Sequence, residues 1–202
     1  VYADVQGNIG WRPAVFIPIR KEGSSLIPRP GDDPSYDWSG RVPYKKMPFL
    51  LNPKKGFIAT ANNKTIDESF PYYISGLWAD PSRAQQIVAR LDTMEETTVD
   101  EMKSIQLDYT SLFAKEITPH LLSIKTGNEK GKLKEAMDLL EKWDFVESSN
   151  SKAALVFHSV LRQVVISIFA DELELLGDKY LDAFTSMKYL HNRSLRKILV
   201  DG

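Results

Sequence analysis

Two adjacent asparagines, Asn62 and Asn63, close the apolar run Gly56-Phe57-Ile58-Ala59-Thr60-Ala61. A carboxamide at the end of a strand is held by the sheet behind it. Its N–H groups can then face a substrate oxygen and stabilise negative charge that develops there. The same pair also suits a turn, because asparagine tolerates left-handed backbone geometry. Residue physics alone favours the turn and leaves both readings open. The other chemistry-bearing residues offer less. His120, His158 and His191 lie far apart, and none has a second ligand type at metal spacing. His158 falls within an apolar helical pattern, which predicts a satisfied core histidine. No Gly-x-Ser-x-Gly elbow accompanies the serines. Asp171, Glu172 and Glu174 fall near a predicted helix end and are expected to be solvated. There is no phosphate-cradling glycine loop and no EF-hand loop. Lys45-Lys46 and Lys54-Lys55 read as surface pairs. Asn63-Lys64-Thr65 and Asn192-Arg193-Ser194 match the glycosylation triplet, a pattern frequent by chance. Cysteine is absent, which excludes thiol nucleophiles, disulfides and thiolate metal sites.

The elements that would position such groups change character along the chain. Of 11 prolines, only Pro119 lies beyond residue 81. Proline removes a backbone donor and glycine admits positive φ, so the first part is read as short strands and structured loops. Tyr2-Ala3-Asp4-Val5 and Ile9-Gly10-Trp11-Arg12, joined through Gln6-Gly7-Asn8, predict a hairpin. Ala14–Ile19 is a second apolar run, which Pro18 confines to an edge or a strand end. Residues 20–35 read as a long surface loop, and 37–53 as irregular and aromatic-rich. Gly56–Ala61 is a further strand candidate. From Pro81 the spacing is helical. Helices are expected over Ser82–Asp92 and from a Thr98–Glu101 capping box through Phe113. Pro119 is expected to kink or restart that second helix before Leu121. Leu133–Trp143, Ser151–Leu175 and Tyr180–Leu199 follow. Ser151–Leu175 is the most apolar; His158, Arg162 and Gln163 interrupt it, which favours a buried helix over a membrane span.

The chain has 202 residues, of which 43% are apolar and 26% charged, enough to bury a core. Its formal charge is −1, which argues against a nucleic-acid binder that relies on bulk charge. The chain starts at Val1 without a signal-peptide pattern, so a processed or excised piece is expected, with targeting information lost upstream.

Taken in order, the segments resemble the penicillin acylase family of N-terminal nucleophile hydrolases, in an internal section of the large catalytic subunit. The matching pieces are Ala3–Trp11, Ile17–Arg20, Trp38–Tyr44, Met47-Pro48, Asn52–Asn63, Arg83, Gln106-Leu107-Asp108 and Trp143-Asp144. Each piece alone is weak, whereas the ordered set is specific. The resemblance implies an α+β chain, a fragment of a four-layer α-β-β-α sandwich. Residues 1–66 would be its strand- and loop-rich part and residues 67–202 its mainly helical part. It implies an acylase that cleaves an acyl group from an amide, such as a β-lactam antibiotic side chain or an acyl-homoserine lactone. The nucleophile would be an N-terminal serine that this chain does not contain. Asn62 matches the asparagine that stabilises the oxyanion, and Arg83 matches an arginine that supports the site. Asn63 remains the turn residue.

The resemblance brings further expectations. Relatives bind calcium through an acidic residue shortly after the oxyanion asparagine. Here that neighbourhood reads Phe70-Pro71-Tyr72-Tyr73, with Asp67 and Glu68 out of alignment, so no metal ligand is assigned. The expected partners are a small acyl amide substrate and the remaining segments of the same precursor, with no nucleic acid and no membrane span. The expected location is periplasmic or secreted. The 202 residues alone are expected to be inactive. A slice of a layered sandwich should expose sheet edges and apolar surface. The competing expectation is a stand-alone, non-catalytic binding or scaffold module, for which a closed, well-covered surface would speak.

Overall fold

The computed structural model describes residues 1–21, 26–177 and 179–200. Mixed antiparallel strands and helices divide into two compact units, which part between Thr93 and Met94. The first helix begins only at Ser82.

In the first unit the hairpin forms as its sequence requires. Strands β1 (Tyr2–Ala3) and β2 (Ile9–Trp11) pair antiparallel, with Tyr2 opposite Gly10 and Ala3 opposite Ile9. Gly7, at φ 83°, supplies the left-handed residue of the turn. Asp4 holds the turn shut. Its carboxylate accepts from Gln6 N at 3.0 Å, Asn8 N at 2.8 Å, Asn8 Nδ2 at 2.9 Å and the Tyr2 hydroxyl at 2.8 Å. Asn52 extends the network, donating from Nδ2 to Asn8 Oδ1 and accepting from Ile9 N, both at 2.9 Å. It thereby docks β5 (Leu50–Leu51) on β2. These donors, the Asn8 side chain first, hold the Asp4 carboxyl below its ordinary pKa. A depressed folded pKa means that Asp4 supports the hairpin above the unfolded carboxylate range. That support is lost as pH falls through the folded value. The Gln6 and Asn8 amide resonances should therefore shift together in an acid titration, with a midpoint below that of an ordinary aspartate. Asp4→Ala should abolish that step.

Strand β3 (Pro18–Arg20) opens on its proline and pairs antiparallel with β4 (Trp38–Arg41) in a two-stranded sheet. The expectation of irregular structure over 37–53 is corrected here, because it contains β4, a 3₁₀ turn at Tyr44–Lys46 and β5. Of the expected loop over 20–35, residues 22–25 lie outside the described residues. Ile17, Val42 and Met47 form a small core beneath Ile19, Tyr72 and Ile74. Much apolar surface stays open: Val5 is 97% exposed, Phe16 80% and Trp38 63%. Helix α1 (Ser82–Leu91) ends the unit.

The second unit is helical. Thr98 and Glu101 form the expected capping box at the start of α2 (Val99–Gln106). The predicted continuation through Phe113 fails. α2 stops at Gln106, and α3 (Leu112–Leu122) starts afresh with Ser111 capping Ala114 N at 3.2 Å. The interruption is stapled to a neighbouring segment. Ser111 N donates to Phe145 O, and Glu147 N to Tyr109 O, each at 2.9 Å. These bonds satisfy backbone groups that a continuous helix would have used itself. Pro119 sits inside α3 and does not end it.

Helix α4 (Gly131–Glu141) packs on the 23-residue α5 (Lys152–Glu174), which Ser151 caps. The predicted Tyr180–Leu199 element is two helices, α6 (Lys179–Ser186) and α7 (Lys188–Leu199). Phe113, Ile117, Trp143, Phe157, Leu161, Val165 and Leu195 share one core. An Arg196–Glu116 ion pair at 2.7 Å ties α7 to α3. α5 is long and apolar enough to cross a membrane by length and composition. One of its faces (Ala153, Ala154, Phe157, Leu161, Val165) lies in this core, and Leu155 on another is 70% exposed.

Candidate active site

The Gly56–Ala61 segment is not a strand, because no described residue offers it a ladder partner. Its end is nevertheless closely specified. Ala61 is buried, and its N–H donates to Asn63 Oδ1 at 3.0 Å. Asn62 adopts φ 61°, a left-handed conformation open to asparagine and costly for most residues. Its carbonyl accepts from Ala79 N at 2.9 Å, which brings the loop ahead of α1 against it.

That loop delivers Arg83. The Asp80 carboxylate accepts from Ser82 N at 2.9 Å and also bonds the Ser82 hydroxyl, setting the first turn of α1. Arg83, the second residue of α1, reaches back across 21 positions. Its Nη2 donates to Asn62 Oδ1 and to Ala61 O, each at 3.2 Å. The two predicted site residues are therefore in contact. With Oδ1 committed to the guanidinium, the Asn62 Nδ2 hydrogens have no partner among the described residues, and the side chain is exposed. A cation on the amide oxygen withdraws electron density from nitrogen, which strengthens its N–H groups as donors. Asn62 is thus both the left-handed turn residue that physics favours and an outward-facing donor.

Asp80 and Ala79 went unnoticed in the sequence. Asp80-Pro81-Ser82 is a recognisable helix start, and it was the available signal for a fixed first turn at α1. The expectation of a core histidine at position 158 is corrected. His158 is half exposed and lies 3.2 Å from Glu147, whereas His191 is the buried one, because the inward positions of α5 fall at Phe157 and Leu161 instead. Asp171, Glu172 and Glu174 are exposed. At the place where calcium is implied by resemblance, Asp67 is committed to Ser69, whose donors depress its pKa, and Glu68 pairs with Lys64. Phe70, Pro71, Tyr72 and Tyr73 bring no carboxylate to this neighbourhood.

An exposed carboxamide whose oxygen is held by a guanidinium is chemically able to donate to an anionic oxygen. Compared with solved structures, the fold matches a thermostable penicillin G acylase from Alcaligenes faecalis with a TM-score of 0.67 and 22% identity, over 91% of this chain and 34% of that one. The family model of penicillin amidase matches residues 1–200, and the chain belongs to that family. It is 30% identical over 185 residues to the acyl-homoserine lactone acylase QuiP of Pseudomonas fluorescens Pf-5, covering 86% of this chain and 23% of that protein. It is 29% identical over 168 residues to the penicillin acylase 2 proenzyme of Pseudomonas sp. SE83, covering 80% and 21%. Against the penicillin G acylase of Escherichia coli it is 28% identical over 155 residues, covering 74% and 18%. The chain thus spans less than a quarter of the length of these curated relatives, each an acylase by name.

Proposed function

We propose that this chain carries the oxyanion-stabilising section of an acylase that hydrolyses a linear amide. The carrying observation is the exposed Asn62 carboxamide, its oxygen held by Arg83 and its Nδ2 directed to no described partner. The nucleophile is an N-terminal serine on polypeptide outside these residues. Its hydroxyl oxygen bonds to the amide carbonyl carbon while its own α-amine takes the proton. The carbonyl π electrons move to oxygen, and Asn62 Nδ2 donates to the resulting oxyanion. Collapse breaks the C–N bond and returns the proton to the leaving amine. Water then releases the acid from the acyl-serine by the same steps. Arg83 acts through Asn62, as a positioning residue.

The open apolar surface of the first unit, with Val5, Phe16, Trp38 and Leu51 all exposed, supports a section covered by further parts of the same precursor. It does not favour a self-contained scaffold module. A periplasmic or secreted location goes with this reading. So does an acyl substrate of the penicillin side-chain or homoserine-lactone type, because the relatives' names carry those two classes.

The test uses the complete protein and chromogenic amides of graded acyl length. Wild type should show a burst of leaving amine followed by steady turnover. Arg83→Ala should lower kcat by about tenfold or more with little change in KM, the range expected when a charge-assisted hydrogen bond worth about 1.5–3 kcal/mol is lost. Absence of amide hydrolysis in the wild type, or unchanged turnover in Arg83→Ala, would overturn the reading.

A further inference from the structure

Asn63 has so far only closed a turn. Its side chain does more than fill space, and its bonds run in an uncommon direction. Oδ1 reaches backward over Asn62 to accept from Ala61 N at 3.0 Å, while Nδ2 donates to Lys64 O at 3.0 Å. The first bond closes a ring whose middle residue is Asn62. The second holds the far side of the ring to the chain that leaves it. Inside that ring Asn62 keeps φ 61°, which its own side chain does not enforce. The buried Ala61 N–H would need another acceptor if Asn63 were absent, because no ladder partner stands beside residues 56–61 among the described residues. A water in place of the amide would satisfy that donor but leave the ring open. Opening would move Ala61 O and Asn62 Oδ1 together, and these are the two acceptors on which Arg83 Nη2 is placed.

We infer that Asn63 is a positioning residue for the reaction proposed above, holding the left-handed backbone of Asn62 so that its carboxamide meets both Arg83 and the oxyanion. This inference rests on the acylase reading. Arg83 fixes where the amide oxygen goes, Ala79 N fixes the Asn62 carbonyl at 2.9 Å, and Asn63 fixes the torsions between them. A donor that contributes only once charge has formed on oxygen acts on kcat and leaves ground-state binding nearly alone. Loosening its support should therefore appear in the same parameter.

The experiment is a double-mutant cycle on the complete protein, assayed with a chromogenic amide, with active sites counted from the burst. Asn63→Ala should reduce kcat by about 10- to 100-fold, the range of a donor displaced by up to an ångström, with KM nearly unchanged. In an Asn62→Ala background the same change should cost less than about twofold, because the group it positions is already gone. Asn63→Ser, whose hydroxyl is too short to span residue 62, should repeat this pattern and serves if the alanine variant does not fold. An equal loss in both backgrounds, or a loss confined to KM, would make Asn63 a general structural residue and overturn the inference. Wild-type turnover in Asn62→Ala alone would overturn the acylase reading itself, a result separable from the other two.

Discussion

Replacing Asn62 with alanine in the complete protein should reduce kcat by ~100-fold or more, since an oxyanion donor contributes ~2.7–4 kcal/mol to the barrier. KM should change little, because the ground-state carbonyl oxygen gains less from the donor than the oxyanion does. Alanine carries a second burden, however. Residue 62 stands at φ 61°, where a Cβ without a compensating side-chain bond is strained. Asn62→Gly removes the carboxamide and relieves that strain, so it isolates the chemical contribution. Both variants should fall by the same order of magnitude. If glycine restored turnover, the backbone rather than the amide would be what matters at this position. If neither variant lost activity, Asn62 would have no part in the reaction.

The largest expected effect on stability lies in the other unit. Phe157 is fully buried, with its ring 5.4 Å from Trp143 and 6.4 Å from Phe113. It joins α5 to α3 and to the segment after α4. Phe157→Ala leaves a cavity that these rigid rings cannot collapse into, and a change of that type costs about 3–5 kcal/mol. A domain is typically stable by only about 5–15 kcal/mol, so much of the margin would go. Because the protein has more than one unit, a single unfolding midpoint is a poor measure. Hydrogen exchange resolves the unit itself. Amides in the middle of α5 should lose protection by about 100-fold or more, while those of the Tyr2–Trp11 hairpin in the other compact unit remain as they are. Unchanged protection in α5 would mean that Phe157 is not the centre of this core.

Local signals were legible wherever one short segment carries its own determinants. Thr98 and Glu101 satisfy each other's backbone groups three residues apart, and the box forms as written. Ser151 caps α5, and Gly7 supplies the turn of the hairpin. Signals that depend on a distant partner misled. Pro119 looked like a break, yet the break comes at 107–111, where residues 145–147 capture the backbone bonds. Gly56–Ala61 has a strand's composition and no paired neighbour. His158 lies in an apolar stretch, but the inward face of α5 is set by what α3 and α4 present, and it passes through Phe157.

Asn62 shows both sides of this division. Residue type and position left Asn62 as a turn residue or a donor, with the turn favoured; the ordered motifs, through the family they resemble, marked Asn62 and Arg83 as site residues. Composition likewise excluded thiol chemistry outright. What no single segment contains is the approach of two residues 21 positions apart. That needed Ala79 to pin the Asn62 carbonyl, Asp80 to start α1 and Asn63 to hold the left-handed turn. The direction in which an amide points is the outcome of several hydrogen bonds competing in three dimensions, and only the folded chain decides that competition.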